Sequence, residues 1–522
     1  MRSSAPTRPF RDVQYSNTGS SLTTRALWLL SAKILAFAFA FALPVLLTRT
    51  LSQSEYGVFK QIFLVVGTAT SVLPLGLGMS AYYYLPREHD AVRRGQIIFN
   101  ILLFTGLVGG STCLLLVLSP ELLATAFRQP MLVSFAPLVG VVILLWLFSS
   151  VMEAIVVANQ ELRMATVFIV CAQLSKTVLM LSAALVFDTV ESLVYAALVQ
   201  GMLQTMALLW YLRLRFPRFW TSFDWQVMRL QVGYSVPFGL AGLLYTLQMD
   251  LHNYFVSNRF NAATFAVYSI GVAQLPLVGM MRESVGAVML PRVSYLQKHG
   301  EVREIVLLLA RAMRKLAAVF LPLYAFMMVT GREFLTVMFT AAYVKSWPIF
   351  AINLTLLPLA LLEFDAVVRS YQERRFFILK LRVALFVLGI LGLWFGIFYF
   401  GLVGAIGVVV AINFIERVAI AIKFNSILGI TRRDLMLLKD VAKLGVAAFS
   451  AGLVTLLVHS FITAAQPLVI LLVCGLIFAL VYITAILVLR VPTSEERLGL
   501  RHGIERLYQR AHPRRAATSL GE

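Results

Sequence analysis

Residues 276–292 read PLVGMMRESVGAVMLPR. Arg282 and Glu283 stand inside a run that is otherwise apolar or small, and the run closes on Leu290-Pro291-Arg292. The same tripeptide closes an earlier apolar run as Leu85-Pro86-Arg87. Charge buried in an apolar run and the recurrence of its ending point to a membrane-embedded chain with an internal duplication.

The composition agrees. The chain has 522 residues, 60% hydrophobic and 13% charged, against about 25% charged in a soluble domain. Fourteen apolar segments, from 26–48 to 467–489, are long enough to span a bilayer, which takes about 20 residues each. Hydrocarbon offers the backbone no hydrogen-bond partner, so the segments are expected to be helices. The expected fold is all-α and polytopic, with about 14 transmembrane helices. No cleavable leader is evident, and the first apolar run is expected to stay as a helix.

The net charge of +20 does not signal nucleic acid, because its placement follows topology. With the N-terminus in the cytoplasm, 35 of the 45 Lys and Arg fall in tails and loops on that side. Five (Arg49, Arg128, Arg259, Arg332 and Lys345) fall on the other side, and five (Lys33, Lys60, Lys176, Arg282 and Arg417) lie within spans. This is the positive-inside pattern, and it places both termini in the cytoplasm. The loops of the opposite face are short. The longest is expected near 331–347, with Gly331 as a turn residue at its start, which leaves no room for an extramembrane catalytic domain. Three cysteines, Cys113, Cys171 and Cys474, sit far apart in apolar runs and read as packing residues. In the tail, Leu500, Ile504, Leu507 and Tyr508 keep helical spacing among arginines. Either a helix on the anionic leaflet or a solvated tail fits that pattern.

The duplication extends beyond one tripeptide. TLSQSEYGVF (50–59) aligns with RFNAATFAVY (259–268), Val58 on Val267 and Phe59 on Tyr268. Six spans separate the copies, an even number, so the halves share one orientation. The expected organisation is a cytoplasmic tail (1–24), an N-lobe of six helices (25–215), a linker (216–229), a C-lobe of six (230–424), a C-terminal helix pair (425–490) and a basic cytoplasmic tail (491–522). Parallel repeats about an axis normal to the membrane are a transporter plan, here with a central cavity between the lobes.

A charge near the bilayer centre costs roughly 2.5–3.5 kcal/mol, so the five cations in spans must face protein or water. Acids accompany them: Glu153, Asp250, Glu283, Glu363, Asp365 and Glu416. Neighbours in a helix point about 100° apart, so Arg282-Glu283 and Glu416-Arg417 spread over a face instead of pairing. On the seventh segment Ser235, Gly239, Gly242, Thr246, Asp250 and Asn253 share one side. On the second, Lys60, Gly67, Ser71, Pro74 and Gly78 do the same. One reading is the wall of a hydrated cavity; the other is close helix packing through small residues. For Lys33 and Lys60 snorkelling to an interface competes with a cavity role. For Arg282, Glu283, Glu416 and Arg417 the competitor is a structural ion pair. Glu363 and Asp365 lie near a helix end and read as interfacial, and His252 reads as a packing residue. Neither a P-loop nor a metal-ligand spacing occurs, so no built-in ATPase, catalytic site or metal centre is expected.

Two motifs carry a family resemblance. Arg49 ends the first helix and is followed after a short loop by Glu55-Tyr56-Gly57. Tyr234-Ser235-Val236-Pro237 leads through Gly239 and Gly242 to Asp250. With these the chain resembles the Wzx-type polysaccharide flippases of the multidrug/oligosaccharidyl-lipid/polysaccharide (MOP) exporter superfamily. It departs at Ala266-Val267-Tyr268, where the family carries Gly-x-Tyr. The resemblance implies alternating-access transfer of an undecaprenyl-pyrophosphate-linked oligosaccharide across a bacterial inner membrane, from the cytoplasmic to the periplasmic leaflet. Lys33, Lys60, Lys176, Arg282 and Arg417 would then meet the phosphate. Asp250, Glu283, Glu416 and Glu153 would serve coupling or gating. No cofactor is implied; coupling to H+, Na+ or the membrane potential is. Expected partners are the lipid-linked sugar, membrane lipids and a polysaccharide polymerase with its export machinery. A cation-coupled multidrug exporter of the same superfamily is the alternative. A membrane polymerase or ligase needs a substantial outer loop for its chemistry, which is not expected here, and intramembrane charges argue against a passive scaffold.

Overall fold

The computed structural model describes residues 22–216, 219–220, 223–362, 367, 375–431, 433–462 and 464–491. Among these the secondary structure is helical, without a strand. The 1–21 tail, Glu363, Asp365 and the 500–508 pattern lie outside the described residues, and Lys33 is described by its backbone alone.

In the N-lobe α1 (Leu22–Thr50) is the first span, and α2 (Gln53–Val72) with α3 (Gly78–Tyr84) forms the second. Then come α4 (Ala91–Leu118), a short α5 (Glu121–Phe127), the pair α6 (Leu132–Ser149) and α7 (Met152–Ala158), α8 (Leu162–Phe187) and α9 (Val190–Arg215). The C-lobe holds α10 (Trp225–Arg259), the broken pair α11 (Ala262–Gly271) and α12 (Pro276–Lys298), and α13 (Val302–Phe339). It continues with α14 (Trp347–Leu354), α15 (Leu356–Leu359) and α16 (Arg375–Leu428). The appended pair is α17 (Lys439–Phe461) and α18 (Pro467–Val488). Seven helical stretches are long and apolar enough to cross a membrane unaided, and the bent α10 makes an eighth. The other apolar segments are broken helices, or helices interrupted by charge.

α16 holds 54 residues. As one rod it would be about 80 Å long at 1.5 Å per residue, far more than a bilayer of ~30 Å. It folds back at Gly401, whose φ of 57° and ψ of −133° are not helical. The two arms pack so closely that a β-carbon on Gly404 would lie 1.9 Å from the Gly396 carbonyl oxygen. Val408 fills the space at Gly392, and Ile412 that at Gly389. The segments 377–400 and 402–422 are therefore an antiparallel hairpin.

The duplication has a local physical cause. Ser52 caps α2 with a capping box, its Oγ accepting from the Glu55 amide at 3.3 Å while Glu55 accepts from the Ser52 amide at 2.9 Å. Asn261, at the matching position, caps α11 by accepting from the Thr264 amide at 2.8 Å. Both copies begin a second span at the face poor in Lys and Arg.

The lobes are joined at that face. Gly57 meets Ala262, Arg49 Nη2 donates to the Val337 carbonyl at 2.6 Å, and Gln53 Nε2 donates to Ala342 at 2.7 Å. Leu47 and Tyr56 share one apolar core with Ala266 and Phe339. Toward the basic face the cores separate. One holds Leu85, Ile98 and Leu208, the other Val293, Ile305 and Phe424. The basic-face end of α10 crosses to the N-lobe, where Gln231 Nε2 donates to Ser80 Oγ and to Ile97 O, both at 3.1 Å. α17 and α18 dock on α13, with Gly452 against Ala325 and the Phe326 and Phe478 rings 5.4 Å apart.

Four local expectations are corrected. The region 331–347 is not a loop: α13 runs to Phe339 and a 3-10 turn covers Ala341–Ser346. Gly331, read as a turn residue, makes room in a helix for the Trp347 ring. Leu290-Pro291-Arg292 does not end its helix as Leu85-Pro86-Arg87 does, since α12 continues to Lys298. The stripe on the second span is interrupted, because Leu75 and Gly76 adopt positive φ (47° and 72°) and separate Pro74 from Gly78.

Candidate functional site

Two cavities, one in each lobe, are lined by several of the intramembrane charges. The N-lobe cavity, about 550 Å³, lies between α6, α7, α8 and α9 and reaches Ala36 and Thr70. Lys176 and Glu153 line it, with Ser149, Gln200 and Gln204. Trp146, fixed by donating Nε1 to the Ala197 carbonyl at 3.1 Å, offers its ring face to Lys176 Nζ at 4.3 Å. Phe63 offers a second ring at 5.8 Å, so cation–π attraction holds the ammonium. Lys60 sits over the Tyr56 ring at 5.6 Å and is close enough to repel Lys176. Among the described residues neither lysine forms an ion pair with a carboxylate. Ser149 donates to Gln204 Oε1 at 3.2 Å, and Gln200 Oε1 is buried with no partner. The lining thus combines one cation and one acid with hydrogen-bonding groups and aromatic faces.

The C-lobe cavity, about 240 Å³, lies between α10, the α11–α12 break, α14–α15 and both arms of α16. Arg282, Glu416 and Arg417 line it, together with Arg382. Glu416 approaches Arg382 Nη2 at 3.8 Å, and Arg417 Nη1 donates to the Leu362 carbonyl at 2.8 Å. The adjacent residues Glu416 and Arg417 thus turn to different partners. Arg282 is half-buried and Glu283 exposed; each has an interaction within the protein.

Asp250 lies at the seam between the lobes, where its Oδ2 accepts from Thr68 Oγ1 at 3.0 Å. Of the glycines in the same stripe, Gly239 serves close packing, since a β-carbon there would lie 2.0 Å from the Leu75 carbonyl oxygen, whereas one on Gly242 would meet nothing within 4 Å. His252 is buried, with Nδ1 2.9 Å from the Tyr268 hydroxyl, a packing arrangement. Lys33 lies in α1.

Arg382 was not legible as a lining residue. It stands in the second turn of the segment 377–400 and groups by sequence with the basic residues just before that segment, but α16 begins at Arg375 and carries it two turns inward. Tyr245, whose ring lies 4.9 Å from the Arg382 guanidinium, and Trp146 were also missed. A long basic residue two turns inside an apolar segment, with an acid on the facing helix, is the signal that finds Arg382.

The family model described as "Polysaccharide biosynthesis protein" matches residues 46–348. No curated protein sequence matches the chain. Solved structures share its fold. "Lipid II flippase MurJ, inward closed conformation" superposes with a TM-score of 0.66 at 13% identity, covering 89% of this chain and 98% of that one. An inward-facing multidrug resistance MATE family transporter of the MOP superfamily gives 0.61 at 15%, covering 79% and 99%. A MOP superfamily transporter from Pyrococcus furiosus, described as having a binding pocket of reverse polarity, gives 0.52 at 14%, covering 78% and 96%. At these identities the likeness shows the fold alone.

Proposed function

The chain belongs to the polysaccharide biosynthesis protein family, and from that premise we propose that it is a flippase for lipid-linked oligosaccharide. It carries an undecaprenyl-pyrophosphate-linked sugar from the cytoplasmic to the periplasmic leaflet of a bacterial inner membrane, with both termini cytoplasmic. The basic face is the cytoplasmic one. The observation that carries this reading is the pair Lys60 and Lys176, half-buried beside aromatic rings and without an ion-pair partner among the described residues. Two ammonium groups outside any ion pair in a membrane bundle suit a pyrophosphate, which bonds strongly to charged donors. The amides and hydroxyls around them suit sugar hydroxyls, which cannot shed water without partners. The lipid tail stays in the bilayer.

The joined outer face and separate inner cores suit a state that loads from the cytoplasm. Outward movement of two negative charges, with the cytoplasm negative, gains about 4.6 kcal/mol per 100 mV. The membrane potential is therefore a sufficient drive, and H+ or Na+ coupling through Asp250 is an addition to it. A second reading, cation-coupled drug export, draws on the fold shared with the MATE transporter and on Asp250. The excess of guanidinium groups in the C-lobe lining and the neighbouring Lys60 and Lys176 favour an anionic cargo over it.

The test is reconstitution in vesicles with a fluorescent undecaprenyl-pyrophosphate-linked sugar. Lys60→Ala and Lys176→Ala should each reduce translocation at least tenfold at equal protein level. Full activity in both variants, or efflux of cationic drugs in place of sugar transfer, overturns the reading.

A further inference from the structure

We propose that the C-lobe cavity is a separate binding site for one carboxylate-bearing sugar ring, a uronate, within the oligosaccharide cargo. The assignment rests on the flippase reading for its cargo and on the cavity's own chemistry for its ligand. At about 240 Å³ the space is smaller than sites for drug-sized ligands, which run to roughly 300–1,000 Å³. It accepts one ring, not an oligosaccharide.

Its lining carries three guanidinium groups, Arg282, Arg382 and Arg417, against one carboxylate, Glu416, among the described residues. Arg382 is the group with capacity to spare. Among the described residues its only ion pair is the long one to Glu416 at 3.8 Å, and its Nη1 is buried with no hydrogen-bond partner. The Tyr245 ring lies 4.9 Å from the guanidinium, within cation–π reach. Gln248 also lines the cavity, and both its amide atoms are buried without partners. Buried groups left unpaired are expensive and call for a ligand or water that pairs them. A guanidinium fork matches a carboxylate in two parallel bonds, whereas lysines act as point charges that suit phosphate. A primary amide both donates to and accepts from a ring hydroxyl. A uronate therefore supplies what Arg382 and Gln248 lack. The division of labour follows from residue type: lysines in the N-lobe for the pyrophosphate, arginines in the C-lobe for an acidic sugar.

The test uses the purified full-length protein in nanodiscs, titrated with glucuronate, glucose and chloride while binding heat is measured. Glucuronate should bind, glucose and chloride should not. Arg382→Gln should weaken glucuronate at least tenfold, while Arg332→Gln, at an exposed arginine outside both cavities, leaves it unchanged. Glu416→Gln removes the carboxylate that competes for Arg382 and should tighten glucuronate severalfold, which keeps the test decisive where Arg382→Gln does not fold. Equal binding of glucose, equal binding of chloride, or a Glu416→Gln protein that binds glucuronate no better overturns the proposal. A vesicle assay with two lipid-linked sugars, one bearing a uronate and one neutral, separates the two levels. Equal transfer of both overturns the uronate site and leaves the flippase standing. Transfer of neither overturns the flippase, and the glucuronate titration still decides the site.

Discussion

Gly57 of the second span and Ala262 of the eighth meet backbone to backbone across the two lobes: a β-carbon on Gly57 would stand 1.9 Å from the Ala262 carbonyl oxygen. Tyr56, one residue earlier, packs edge-on against Tyr343 with ring centroids 5.9 Å apart. The Glu55-Tyr56-Gly57 motif thus has one physical role, with Glu55 capping α2, Tyr56 packing across the seam and Gly57 allowing the approach. Gly57→Ala must push the lobes apart at this face, because the obstructing atom is main chain and cannot swing aside. Overpacking of this kind costs about 1–3 kcal/mol, a shift of roughly 5- to 150-fold between joined and parted states. Gln53→Cys and Ala342→Cys, placed where Gln53 now donates to Ala342, report that joining through disulfide formation. Cross-linking should be fast in the parent and at least fivefold slower with Gly57→Ala; equal rates would show that this contact does not hold the face closed.

The hydrogen bond from Thr68 to Asp250 ties the second span to the seventh at 3.0 Å. Asp250 is half-buried, so the hydroxyl replaces water that its carboxylate lacks. Thr68→Val keeps the shape and leaves the carboxylate short of a donor. A bond to a charged group contributes about 1.5–3 kcal/mol, and Thr68→Val should lose an amount in that range. Asp250→Asn keeps an acceptor for Thr68 and removes the charge, so it should lose less than about 1 kcal/mol. Denaturation midpoints of the two purified variants give the comparison, and the reverse order would place Asp250 in a wetter setting than its exposure indicates.

Cys171 lines the N-lobe cavity beside Lys176 and is exposed, whereas Cys113 is half-buried and Cys474 buried. A water-borne thiol reagent should therefore modify Cys171 first. If the cavity holds an uncompensated ammonium, an anionic reagent is concentrated there and a cationic one of equal size excluded. The anionic-to-cationic rate ratio at Cys171 should fall severalfold in Lys176→Gln and persist in Lys176→Arg. A ratio indifferent to Lys176→Gln would mean that the charge at 176 is not felt in the cavity.

Much of this architecture is legible in the sequence because lipid imposes one local rule. Apolar runs of span length become helices whatever their neighbours do, and the caps at Ser52 and Asn261 fall where aligned repeats place them. Charge inside a run is legible for the same reason, which is how Lys176, Arg282 and Arg417 stand out. What a one-dimensional reading loses is which faces meet. The proximity of Lys60 to Lys176, 116 residues apart in number, depends on α2 and α8 both packing against α9. Arg382 is lost at a boundary, since two turns of helix on one side of an apolar edge look like loop. The break at Leu75 and Gly76 is hidden because Pro74 and Gly78 keep a helical spacing that the backbone does not keep. Gly331 reads as a turn until the Trp347 ring is seen to occupy its place.

The hairpin of α16 gives the sharpest separation between two glycines three residues apart. A β-carbon on Gly404 would lie 1.9 Å from the Gly396 carbonyl oxygen and 2.9 Å from the Phe400 side chain, while one on Gly407 meets nothing within 4 Å. Both are helical, so alanine removes the same backbone freedom from the unfolded chain at each and gains about 0.5–1 kcal/mol on that account. At Gly407 nothing opposes the gain, and Gly407→Ala should be neutral or slightly stabilising. At Gly404 the two arms must separate, which costs about 1–3 kcal/mol and disturbs the C-lobe cavity, because Gly389, Val408 and Ile412 line it from the same arms. Gly404→Ala should therefore lower the unfolding midpoint and weaken ligand binding to the C-lobe together, with Gly407→Ala changing neither. If both variants behave alike, the two arms are not in main-chain contact, and α16 does not fold back on itself as described.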